Sequence, residues 1–123
     1  MINEISTELL VLSMDMEAYK QQVAAVNVAN VNTKGYSAQT VNFDNVLRQI
    51  STSRDRSQFA MNIDLYRTMD IEQLADIKKN DRSQSVMLDE EILASTQASG
   101  KYQAMAELLN RRLGLIRMGI KGQ

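Results

Sequence analysis

The chain has no cysteine, histidine, tryptophan or proline among its 123 residues, and aromatic residues make up only 5% of it. Without cysteine there is no disulfide framework and no thiolate metal site. Without histidine the commonest metal ligand and the usual neutral-pH proton shuttle are missing, so neither cofactor nor metal is expected. Without proline nothing kinks a long helix from within. An excess of either charge is lacking too. Lys and Arg number 14 against 15 Asp and Glu, a net charge of −1, and the bases Arg111, Arg112, Arg117 and Lys121 are scattered. Neither a phosphate-tracking groove nor a polybasic membrane patch fits that pattern, so nucleic acid is not an expected partner. No stretch approaches the roughly 18 consecutive apolar residues of a bilayer-crossing helix, so no direct membrane span is expected. Glu4, Glu8, Asp15 and Glu17 interrupt the start of the chain, where a secretory signal needs an unbroken apolar run.

What the chain has is two apolar ladders. The first runs Ile2, Ile5, Leu9, Leu12, Met16, Tyr19, Val23, Val26 and Asn30, with steps alternating between three and four residues. That alternation keeps one stripe of a helix facing a partner along its whole length. The second runs Leu88, Ile92, Ser95, Ser99, Tyr102, Ala106, Leu109, Leu113, Ile116 and Ile120. The spacing predicts a mainly α fold, with long N- and C-terminal helices forming an antiparallel, coiled-coil-like hairpin around a small irregular or short β middle segment. Its divisions are 1–37, 38–85 and 86–123. Residues 2–30 hold four acids against one Lys, and residues 101–123 hold five bases against Glu107, so an antiparallel arrangement sets opposite charges side by side. Ile5, Leu9, Leu12, Met16, Tyr19 and Val23 on one side, with Ser99, Tyr102, Leu109, Leu113, Ile116 and Ile120 on the other, are the expected helix-pairing and subunit-interface positions.

Smaller signals qualify this picture. Asp89, Glu90 and Glu91 cover the unsatisfied amides of a first helical turn; adjacent helical residues point apart, which makes capping a better reading than a metal or acid/base cluster. Gly100 sits mid-helix at a cost of about 1 kcal/mol relative to alanine, and suggests close backbone packing beside Ser95, Ser99 and Ala106. In the middle segment Val41 and Phe43 alternate like a strand, Asn45 to Ile50 suit one or two helical turns, and Phe59, Met61, Ile63 and Leu65 alternate again. Ser51 to Ser57 reads as a loop, Ile71, Leu74 and Ile77 keep helical spacing, and Lys78 to Ser85 reads as a flexible connection. Val11, Met14, Val28, Met87, Leu93, Met105, Leu108, Leu115 and Met118 fall off both ladders, and this extra apolar area suits neighbouring subunits.

The first helix should stop at a shaped turn. Asn27 and Asn30 share a helical face, and Asn30, Asn32, Thr33 and Gly35 are types that bond their own backbone or accept left-handed dihedrals. The plain reading is a helix stop. The sharper one is a stereotyped corner, Asn27-Val28-Ala29-Asn30-Val31-Asn32-Thr33-Lys34-Gly35-Tyr36, in which Asn side chains hold the exit loop and Tyr36 folds back as an anchor.

That segment resembles the signature of the axial proteins of the bacterial flagellum, the rod and hook family. The family often carries proline where this chain has Lys34; the Gly35-Tyr36 pair is intact. Val86 to Ile92 and Lys101 to Arg117 resemble the closing helix of its proximal rod members. The resemblance covers both terminal thirds, and at this length large outer domains are not expected. It implies a subunit exported through the flagellar type III apparatus without a cleaved signal and polymerised at the base of the periplasmic rod. Its implied partners are copies of itself, other rod proteins, the adaptor protein FliE, and the MS-ring and export gate, with no small-molecule substrate. The rival from another class is a soluble coiled-coil adaptor or secretion chaperone that dimerises through the same ladders. An enzyme ranks below both, since the sequence shows no nucleophile-base pair or phosphate loop.

Overall fold

A computed structural model describes residues 2–79 and 88–121, with the side chains of 2–6 and 121 outside the description. Seven elements follow in order: α1 (Ile2–Ala29), β1 (Gln39–Asn42), α2 (Asp44–Ser51), α3 (Arg56–Thr68), α4 (Ile71–Leu74), β2 (Asp76–Lys79) and α5 (Leu88–Lys121). The fold is mainly helical, and the two long terminal helices pack together. Thr7 shares a cleft with Arg112 and Ile120, whereas Asn27 shares one with Glu90 and Lys101, so the start of each helix lies beside the end of the other. No helix among the described residues is long and apolar enough to cross a membrane.

The middle segment is more ordered than its sequence suggests. Phe59, Met61, Ile63 and Leu65 read as an alternating strand, yet they lie in helix α3. The cause is visible at both levels. The Asp55 carboxylate accepts the Gln58 N–H at 2.9 Å, which satisfies an orphan amide of the first turn. Phe59, Ile63 and Tyr66, spaced four and three apart, then turn one face inward, leaving Met61 and Leu65 exposed. The expected loop at Ser51 to Ser57 shrinks to residues 52–55, because Ser51 ends α2 and Arg56 and Ser57 open α3. Ile77 does not continue a helix. Ala75 is already extended after the single turn of α4, and Ile77 pairs with Val41 in the two-stranded antiparallel sheet. Lys78 and Lys79, expected in a flexible connection, end that strand; residues 80–85, with Val86 and Met87, lie outside the described residues.

Around α1 the packing has two sides. Leu12 and Met16 are buried in a cluster with Phe43, Val46, Ile50, Tyr66 and Leu74, and Leu9 and Tyr19 pack against it. Tyr19 meets the Phe43 ring edge-on, with centroids 6.3 Å apart. This cluster draws no described residue from α5, so Leu12 and Met16 pack on the middle segment. Farther along, Val23 and Ala24 are buried beside Ala94 and Ala98 of α5. A long helix flanked on two sides needs apolar residues in two directions, which a single ladder does not describe.

The stripe that α5 turns inward takes Ser95, Ser99, Ala106 and Leu109 from the expected ladder and adds neighbours to them. Ala98 is its only fully buried residue among those described, with Ser95, Ser99, Met105, Ala106, Leu109 and Arg112 half-buried. Ile92, Tyr102, Leu113, Ile116 and Ile120 stay exposed. A side chain as small as Ala98 permits close approach to Ala24. Gly100 contributes nothing to that approach: a Cβ added there would meet no atom within 4 Å, so the close contact expected at this glycine is absent among the described residues.

Candidate functional site

The segment after α1 forms a corner organised on one side chain, Asn27, which is 1% exposed. Its Nδ2 donates to the Gln39 carbonyl at 2.8 Å, and its Oδ1 accepts the Gln39 N–H at 3.0 Å. Oδ1 also accepts the Tyr36 hydroxyl at 2.6 Å. Only one orientation of the carboxamide satisfies all three bonds. A strand residue directs its own N–H and C=O to the same side, so Gln39 turns both away from β2 and toward α1. Asn27 thus serves as a single rung of a third strand, matching a donor and an acceptor on the outer edge of β1.

The rest of the corner is local. The Asn30 side chain donates to the Val26 carbonyl at 2.8 Å, which also accepts the Asn30 amide at 3.1 Å, so one acceptor at the helix end takes two donors. The Thr33 hydroxyl donates to Asn30 Oδ1 at 3.1 Å, and the Thr33 and Tyr36 amides donate back to Asn30 and Thr33 carbonyls. Gly35 adopts φ +81°, the left-handed region that favours glycine. These bonds return Tyr36 to α1. Burial pushes the Tyr36 hydroxyl above its ordinary pKa, with the nearby Glu91 carboxylate adding to the shift, so it remains a proton donor at neutral pH. Ala29 and Asn32 are exposed, the first in the last turn of α1 and the second in the loop.

Of the sequence-predicted interface positions, Leu9, Leu12, Met16 and Tyr19 gather in the core with the middle segment, and Val23 lies against α5. The Ile5 side chain lies outside the description. Ser99 and Leu109 are half-buried, while Tyr102, Leu113, Ile116 and Ile120 are exposed. Leu93, Leu108, Leu115 and Met118, expected off the ladders, are exposed as well. Two participants escaped the sequence reading. Gln39 uses only backbone atoms at the corner and offers no side-chain signal; Ala98 carries the close helix contact, one position from the Ser99 that the ladder picked out.

Two of the clefts among the described residues border α5. One, of about 320 Å³, lies between α1, β1 and α5, with Glu17, Lys20, Glu91 and Lys101 among its lining residues. Lys20 pairs with the buried Glu17 at 3.4 Å. The other, of about 390 Å³, is walled by Thr7, Leu115, Ile116, Gly119 and Ile120, with Arg112 beside them. Asp89, Glu90 and Glu91 lie in the first turn of α5, where their charge meets the positive end of the helix dipole. Among the described residues no group of three His, Cys, Asp or Glu side chains is placed to hold a metal ion. No protein-family model matches the chain, and no curated protein matches it.

Proposed function

We propose that the chain is a structural subunit of the proximal rod of the bacterial flagellar basal body, of the FlgB type. In this reading α1 and α5 are an antiparallel, coiled-coil-like hairpin that forms the inner tubular part of the rod and links the MS-ring and export gate to the rest of it. The observation that carries it is the corner at residues 27–36, where the signature residues Asn27, Asn30, Thr33, Gly35 and Tyr36 each have a geometric role. The exposed apolar residues of α5 add support, since a subunit that works only in an assembly leaves such surface for its neighbours. Its partners are then copies of itself, other rod proteins and the adaptor FliE. Export proceeds through the flagellar type III apparatus, and the site of action is the periplasmic rod.

The sister proximal rod protein FlgC is the alternative within the family; gene neighbourhood separates the two. The test of rod membership is direct. A tagged chain should be recovered in isolated basal bodies, and deleting its gene should abolish rod formation and motility, with both restored by the intact gene. Normal basal bodies in the deletion strain would remove the proposal and favour the adaptor or chaperone reading.

A further inference from the structure

Opposite the face that packs on α1, α5 carries a second stripe that no described residue covers. Leu93, Gly100, Ala104, Leu108 and Met118 are spaced by four, seven or ten residues, which places them along one side of the helix. The large members are open to solvent: Leu93 is 57% exposed, Leu108 49% and Met118 69%. At the middle of the stripe stands Gly100, the residue that the fold leaves unexplained. Glycine weakens a helix interior, and here no neighbouring group occupies the space that it leaves.

Charge along this helix is polarised. Asp89 and Glu90 stand at its start, and Arg111 lies on the stripe's own side toward its end. Among the described residues Arg111 pairs with Glu107, at 3.0 Å, in an ion pair so exposed that water screens most of its value.

We propose that this stripe pairs with the same stripe of a second copy of the chain, the two α5 helices running antiparallel and crossing at Gly100. Leu93 lies seven residues before Gly100 and Leu108 eight after it, so each leucine of one copy meets the other leucine of its partner copy. Glu90, exposed although it also borders the cleft beside α1, lies ten before and Arg111 eleven after, so the same register sets each acid against the base of the other copy. A parallel pairing would instead stack acid on acid and base on base. The missing Cβ at Gly100 and the small Ala104 let the backbones approach where the helices cross. The contact is two-fold and therefore closed, and it uses a face distinct from the α1 seam. This inference concerns the free protein in solution and holds whether or not the chain enters a rod.

The test uses the purified full-length chain. Sedimentation equilibrium should show a monomer–dimer equilibrium. The chain has no native cysteine, so Gly100→Cys gives a single thiol at the crossing point, and mild oxidation should convert the protein to a disulfide-linked dimer. Leu108→Glu should raise the dissociation constant by about tenfold or more without changing the helicity seen by circular dichroism. Glu90→Lys and Arg111→Glu should each weaken the dimer, and combining them should restore it. A chain that stays monomeric at its highest soluble concentration overturns the proposal. So does a dimer that survives Leu108→Glu but dissociates on Leu113→Glu, which would place the contact on another face.

Discussion

A carboxamide can imitate a peptide unit, offering a donor and an acceptor in one plane, and that is how Asn27 is used. Asn27→Ala would leave the Gln39 N–H, the Gln39 carbonyl and the Tyr36 hydroxyl without their partner, and should cost about 1–3 kcal/mol in urea unfolding. Asn27→Asp keeps two of the three bonds but sets a carboxylate oxygen against the Gln39 carbonyl, so at neutral pH it should destabilise as well. Tyr36→Phe loses one bond and should cost about 1 kcal/mol by the same measurement. Its pH signature is more specific. The folded-state pKa of Tyr36 is raised by burial and by Glu91, so the protonated phenol is the form that folding favours. The corresponding stability is fully present below the ordinary tyrosine value near ~10 and is lost as pH rises through the folded-state value. Tyr36→Phe should therefore flatten the alkaline fall in stability. A remainder should persist from Tyr19, whose pKa is raised by burial and then by Glu72.

At the scale of elements, α3 tests how a helix is recognised. Ile63 is 0% exposed, so Ile63→Ala should destabilise by about 2–5 kcal/mol, whereas Met61→Ala should change stability by no more than about 0.5 kcal/mol. Equal losses at the two positions in thermal unfolding would contradict the helix face described here. The segment 56–68 was legible, but through its boundary rather than its interior. Asp55 followed three residues later by Gln58 is a helix-start signal, and the Gln58 side chain in turn accepts the Arg54 N–H. The alternation of Phe59, Met61, Ile63 and Leu65 misleads because two of those four residues are exposed apolar side chains with no packing role. Ile77 misleads for the opposite reason. Its spacing from Leu74 is helical, yet its place is fixed by pairing with the distant Val41, which no local window contains.

For the whole molecule, the presence of two long terminal helices could be read from the chain, because a regular apolar spacing is local. Which stripe meets which partner could not. Leu12 and Met16 satisfy a ladder equally well whether α5 or the middle segment covers them, and only the fold chooses the latter. The core therefore sits between α1 and the middle segment, while the end of α5 beyond Leu113 has little cover among the described residues. Amide hydrogen exchange in the monomeric Leu108→Glu variant should be slowest around Leu12 and Met16 and fastest toward Gly119. The small sheet has a final bearing on how the protein behaves in crowded company. Gln39 turns its backbone groups away from β2, and the register then leaves those of Ile77 and Lys79 pointing outward on the opposite border. Growth of the ribbon is blocked by an amide on one border and discouraged by a short lysine-bearing margin on the other. Replacing Lys78 and Lys79 with valine should make the protein prone to thioflavin-positive fibres. With the lysines in place, the ribbon is steered away from amyloid-like stacking.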